Sequence, residues 1–99
     1  MGESNRNSAL DNDVEALFIK YRETGDKGVR NEIINRYLYL AEIISKKFIN
    51  RGIDYEDIYQ VASIALIKSV ERFDLGKGVK FVSFATPTIV GEITRFFRD

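Results

Sequence analysis

Between residues 72 and 84 the chain alternates cations with rings: Arg72, Phe73, Lys77, Lys80, Phe81 and Phe84. That pairing suits an unpaired nucleic-acid strand, because cations follow phosphates while rings stack on exposed bases. Three core phenylalanines beside solvated lysines would give the same string. A second row, Thr88, Gly91, Thr94, Arg95 and Arg98, falls at helical spacing. Hydroxyl and guanidinium groups so placed can reach groove edges and phosphates, although a solvated helix face is the ordinary source of such a row. Gly91 in mid-helix costs roughly 1 kcal/mol relative to Ala, which points to a close backbone approach. A third row, Asp57, Gln60, Ser63, Ile64 and Ile67, mixes polar and apolar side chains along one helix. Its isoleucines either wedge against a neighbouring helix or belong to a partner surface of helix-in-groove type.

Other chemistry drops out. With no Cys and no His there is no disulfide framework, no Cys/His metal site and no catalytic triad. The paired acids Asp54 and Asp57 suit a helix start, where carboxylates meet the positive end of the dipole. No nucleophile–base pair accompanies them, so no enzyme, cofactor or metal is expected. Ninety-nine residues support one small core. A chain 44% hydrophobic and 30% charged is folded and charge-rich rather than disordered. No apolar run is long enough to span a membrane, and the polar start MGESNRNSAL lacks a signal-peptide centre, so the expected location is the cytoplasm. Fifteen Lys and Arg against fifteen Asp and Glu give formal net zero, unlike a free-standing nucleic-acid binder. The distribution is uneven. Residues 1–15 carry one Arg against Glu3, Asp11, Asp13 and Glu15, whereas residues 30–51 carry Arg30, Arg36, Lys46, Lys47 and Arg51 against Glu32 and Glu42.

The elements that must position these rows are helical, and the expected fold is all-α, a compact bundle of about four to five helices. Residues 1–11 are expected as a disordered leader. Val14, Leu17, Phe18 and Tyr21 follow helical spacing, with Asn12 as N-cap and Gly25 as the stop. Val29, Ile33, Tyr37, Leu40, Ile44 and Phe48 predict a longer helix ended by Gly52, with a kink near Tyr37–Leu40. Asp54 opens a third helix whose stripe is Ile58, Val61, Ala62, Ala65, Leu66, Val70 and Phe73, closed by Gly76. The loop from Leu75 to Val79 is expected to be the most flexible internal stretch. The last helix is capped by Ser83 or by Thr86. The second choice puts Pro87 at the first helical position, where it is tolerated. Under the first choice it costs a hydrogen bond and bends the opening turn. Ile89, Ile93, Phe96 and Phe97 carry this helix onto the core.

Three strings then resemble a known family: Asp54-Tyr-Glu-Asp-Ile-Tyr-Gln60, Ala65-Leu-Ile-Lys-Ser-Val70, and Phe73-Asp-Leu-Gly-Lys-Gly-Val-Lys-Phe81 followed by Val-Ser-Phe-Ala-Thr86. They are similar to region 2 of bacterial RNA polymerase sigma factors. The segment from Ala85 to Asp99 looks most like the general-stress and sporulation group, of sigma-B and sigma-F kind, and Leu40–Gly52 fits as well. The resemblance covers about 12–99, read as one region 2 domain.

The resemblance implies a promoter-specificity role in transcription initiation. Asp57, Gln60, Ser63, Ile64 and Ile67 would meet the clamp helices of the largest subunit of core RNA polymerase, with Val61 standing where housekeeping members often carry an acid. Phe73 and Phe84 would wall a pocket for the flipped adenine of the −10 element. Lys77 and Lys80, with Ser83 nearby, would hold the non-template strand, and Lys46, Lys47 and Arg51 would extend the phosphate path. Gly91, Thr94 and Arg95, flanked by Thr88 and Arg98, would read the upstream edge of the −10 element in promoter DNA. Pro87 and Thr88 replace two adjacent tryptophans of housekeeping members, which implies weaker melting. Tyr37 replaces a usual Asn, so a second base pocket is not carried over. The family's C-terminal domain for the −35 element is absent from this chain, which is therefore expected to be an excised or shortened domain. An anti-sigma factor is a further expected partner, and a helical module serving mainly as its target is the rival reading.

Overall fold

A computed structural model describes the backbone of residues 2–98 and the side chains of 13–98. Its order is α1 (Gly2–Thr24), α2 (Lys27–Lys46), α3 (Tyr55–Arg72), one 3₁₀ turn (Leu75–Lys77) and α4 (Phe81–Arg98). No strand occurs among the described residues, so the architecture is all-α. The chain divides into two packing units, Met1–Ile33 and Ile34–Asp99.

In the first unit Phe18, Val29 and Ile33 are buried, as the helical spacing predicts. α1 runs back to Gly2, ahead of the cap expected at Asn12, because nothing between residues 3 and 24 is a proline or glycine to stop it. The side chains of residues 1–12, and with them the expected leader over 1–11, lie outside the described residues. Gly25 ends α1 in the left-handed region at φ 68, with its N–H on the Tyr21 carbonyl at 2.7 Å. Asp26 then caps α2 by accepting from the Gly28 N–H at 2.7 Å.

The second unit holds the larger core. α3 and α4 pack on one another, and Ile58, Ala62, Leu66 and Val70 of α3 are buried, as are Ile89 and Ile93 of α4. α2 runs unbroken past Tyr37–Leu40 and ends at Lys46, short of the stop expected at Gly52. Its exit tightens into three-residue hydrogen bonds, and Asn50 at φ 77 joins Gly52 at φ 85 in the left-handed region. Asparagine tolerates that conformation better than most side chains, so Asn50 shares the terminating role. Asp54 is the N-cap residue of α3, extended at ψ 140, but its carboxylate makes no cap hydrogen bond; it acts there through charge, with Glu56 and Asp57.

α3 stops at Arg72 rather than at Gly76, because Phe73 turns extended and is buried. The segment beyond is not a loose loop. Asp74 accepts from the Gly76 N–H at 2.8 Å, and Gly78 adopts φ 72. α4 then begins at Phe81, so neither Ser83 nor Thr86 caps it, and Pro87 falls inside the helix. An interior proline costs about 3 kcal/mol relative to good helix formers. Burial of Phe81, Ala85 and Ile89 along the same helix supplies the compensation. Phe96, expected in the core, is 38% exposed.

Ser45 is fully buried and its hydroxyl finds no partner among the described residues. Such a group costs about 1–3 kcal/mol. Ser45→Ala is therefore expected to stabilise the unit by about 1 kcal/mol, read as a higher thermal midpoint in circular dichroism. A lower midpoint would mean that the hydroxyl is hydrated or bonded.

Candidate functional site

The aromatic string folds into a cluster. Phe73 leaves α3 pointing inward and is only 3% exposed. Phe81 meets it edge-on with centroids 5.3 Å apart, and Phe84 lies tilted against it at 5.6 Å. Tyr37, from α2, packs on the far side of Phe81 at 4.5 Å. Phe84 and Tyr37 are half-buried, while Phe81 is buried. Phe73 and Phe84 thus touch one another, and of the two only Phe84 keeps partial exposure. Edge-to-face and tilted contacts of this kind hold ring orientation as well as burying area.

The cations adjoin the cluster in sequence and fall along two helix ends. Lys77 is exposed on the 3₁₀ turn, and Lys80 and Ser83 are exposed where α4 starts. At the end of α2, Lys46 pairs with Glu42 at 3.0 Å. That hydrogen bond, with the carboxylate charge behind it, raises the ammonium above its ordinary pKa. Lys47 is exposed beside it. Arg51 sits over the Phe48 ring at 5.8 Å, and Phe48 stacks on Phe97 at 5.7 Å, which brings the exit of α2 to the end of α4. The charged groups Arg95 and Glu92 approach at 3.4 Å, while Thr94 and Arg98 are exposed. The Thr88 hydroxyl donates to the Phe84 carbonyl at 3.2 Å.

Within the chain itself nothing approaches Gly91 closely. It is exposed, and no atom lies within 4 Å of where a Cβ would stand. Internal packing therefore does not require a glycine there, and the smooth strip it leaves on α4 is open.

On α3, Asp57, Gln60 and Ile64 are exposed and Ser63 and Ile67 are half-buried. Ile64 is 49% exposed, so it is not wedged under a neighbour. The Ser63 hydroxyl oxygen is covered and without a partner among the described residues. Tyr37, the ring against Phe81, and the carboxylates Glu42 and Glu92 that pair with Lys46 and Arg95 were not assigned from the sequence. Their spacing carried the signal, since Glu42–Lys46 is an i,i+4 pair and Glu92–Arg95 an i,i+3 pair. Among the described residues no acidic cluster could hold a metal ion, and no helix is long and apolar enough to cross a membrane.

The chain's sequence matches a known family. The sigma-70 region 2 family model matches residues 29–99. The sigma-F factor of Priestia megaterium is 43% identical over 89 residues, covering 90% of this chain and 35% of its own length. The sigma-G factor of Bacillus subtilis is 39% identical over 87 residues, 88% of this chain and 34% of its own length. The sigma factor SigF of Mycobacterium tuberculosis is 47% identical over 70 residues, 71% of this chain and 27% of its own length. The chain spans about a third of the length of the first two of these relatives.

Proposed function

We propose, because the chain belongs to the sigma-70 region 2 family, that it is a promoter-specificity domain of an alternative sigma factor of the sporulation and stress type. The relatives are transcription factors of RNA polymerase rather than enzymes, and the chain is read in the same way. Its α3 face, Asp57, Gln60, Ser63, Ile64 and Ile67, docks on the clamp helices of core RNA polymerase. Its Phe84 ring, supported by Phe73, receives an unpaired base of the −10 element, while Lys77, Lys80 and Ser83 hold the non-template strand. Lys46, Lys47 and Arg51 extend the phosphate path, and Thr88, Gly91, Thr94, Arg95 and Arg98 follow the upstream duplex edge.

The observation that carries this reading is the placement of Phe84. A half-buried ring in contact with another, with exposed lysines at 77 and 80 in the segment leading into it, suits a single strand. A base that leaves the duplex forfeits roughly 1–2 kcal/mol of stacking per step, and an aromatic face returns about 1–3 kcal/mol. Melting then requires no chemical energy from the protein.

Ile64 is half exposed on the docking face, and this also favours a protein partner such as an anti-sigma factor. The two readings separate by measurement. Saturable binding of the chain to purified core polymerase is expected, weakened about tenfold or more in a Gln60→Ala, Ile67→Ala double variant, because anchors near an interface centre each contribute on the order of 1 kcal/mol or more. Equal binding by the double variant would remove α3 from the docking surface. Absence of binding by a folded wild type would leave the anti-sigma target as the better account.

A further inference from the structure

The exit of α2 and the end of α4 are joined by rings. Phe48 and Phe97 are both half-buried and stack at 5.7 Å with their planes 25° apart. Phe96 meets Phe97 edge-on at 6.4 Å. The Arg51 guanidinium lies over the Phe48 ring, 5.8 Å from its centre. The backbone that carries Arg51 is irregular: the Ile49 N–H reaches the Lys46 carbonyl only at 3.5 Å, and Asn50 and Gly52 are both left-handed. Side-chain contact, more than backbone, therefore sets where this arginine points. Lys46 and Arg95 are paired with Glu42 and Glu92. Arg51 is exposed and has no carboxylate partner among the described residues.

We propose that Phe97 is a positioning residue: through the Phe48 ring it holds the Arg51 guanidinium in place for a phosphate of the captured strand. The inference rests on the nucleic-acid reading above and adds how one phosphate contact is prepared. A guanidinium carries five N–H donors in its own plane and can stack on an aromatic face. A carboxylate partner would occupy those donors, whereas a ring fixes the group and leaves them open to an anion. Phe97 does not touch the phosphate. Its part is to keep the Phe48 ring facing Arg51 from the far end of the chain.

The test is a double-variant cycle in the chain itself, read by fluorescence anisotropy of a short labelled oligothymidylate over a range of salt concentrations. Arg51→Gln should weaken binding about fivefold, the value of one net hydrogen bond, and make the salt dependence shallower by about 0.7, the share of one phosphate on a single strand. Phe97→Leu with Arg51 intact should weaken binding about threefold, the value of an exposed cation–π contact. In the Arg51→Gln background the same change should have no effect, and Phe97→Tyr, which keeps a stacked ring, should bind as the wild type does. Phe48→Leu removes the ring under Arg51 directly; it should show the same Arg51-dependent loss, and it carries the test if Phe97→Leu does not fold. A merely structural ring would weaken both backgrounds alike. That result, or full affinity in folded Phe97→Leu, would overturn the inference while leaving strand binding intact. If the wild type binds the oligothymidylate at no salt concentration, the nucleic-acid reading falls, and this inference with it.

Discussion

Phe81→Ala is expected to cost the Ile34–Asp99 unit about 3–5 kcal/mol, the range for removing a buried phenylalanine. The ring is 4% exposed and lies between Tyr37 and Phe73, so its loss opens a gap in the middle of the cluster rather than at its edge. It is also the first residue of α4, a helix that already carries an interior proline and whose opening turn is held by burial and by the Phe84 N–H on the Lys80 carbonyl. Small domains have roughly 5–15 kcal/mol in total, so the variant should lose much of its folded population. Urea denaturation followed by circular dichroism measures the change, with Phe81→Leu expected to keep most of the stability. A cost below about 1 kcal/mol would mean that Tyr37 and Phe73 close over the space, and that the cluster does not organise the start of α4.

The second large effect falls on binding rather than on folding. Lys77→Ala combined with Phe84→Leu should weaken capture of a single-stranded −10 probe about 10- to 100-fold, since stacking contributes about 1–3 kcal/mol per base and each 1.4 kcal/mol is about tenfold. Leucine is chosen because Phe84 rests on Phe73; it keeps apolar volume there while removing the flat face. Fluorescence anisotropy gives the affinity, and binding to core polymerase serves as the control expected to stay unchanged. Unchanged affinity for the probe would remove Phe84 and Lys77 from the strand path. Loss of both activities together would indicate damage to the fold.

Much of this was legible from residue spacing. The helical stripes on α3 and α4 named the buried residues well, because Ile58, Ala62, Leu66, Ile89 and Ile93 obey a period that no other structure produces. The left-handed glycine at 25 was legible for a similar reason: the residue type and the geometry imply one another. Boundaries decided by tertiary contact were not legible. Phe81 starts α4 because its ring is buried, which outweighs the better capping chemistry of Ser83 and Thr86. α3 ends early because Phe73 gains more by turning into the cluster than by one more helical turn. Within the candidate site, types and periodicity pointed to Phe84 and the lysines, but they could not distinguish a partly exposed ring from a buried one. That distinction depends on the Tyr37–Phe81–Phe73–Phe84 sequence of contacts, whose members come from α2, α4 and the exit of α3.

Under the proposed function, the short segment between α3 and α4 would lower the cost of capturing a strand. Asp74 accepts from the Gly76 N–H, the Lys77 N–H bonds to the Asp74 carbonyl at 3.2 Å, and Gly78 closes the turn. Ordering a free backbone costs roughly 1–2 kcal/mol per residue, and a mobile loop would incur that cost each time it met a phosphate. Here the cost has been met during folding. If Lys77 meets a phosphate as proposed, it has only its own side-chain freedom to lose, so a modest number of contacts would suffice in a chain of zero formal net charge.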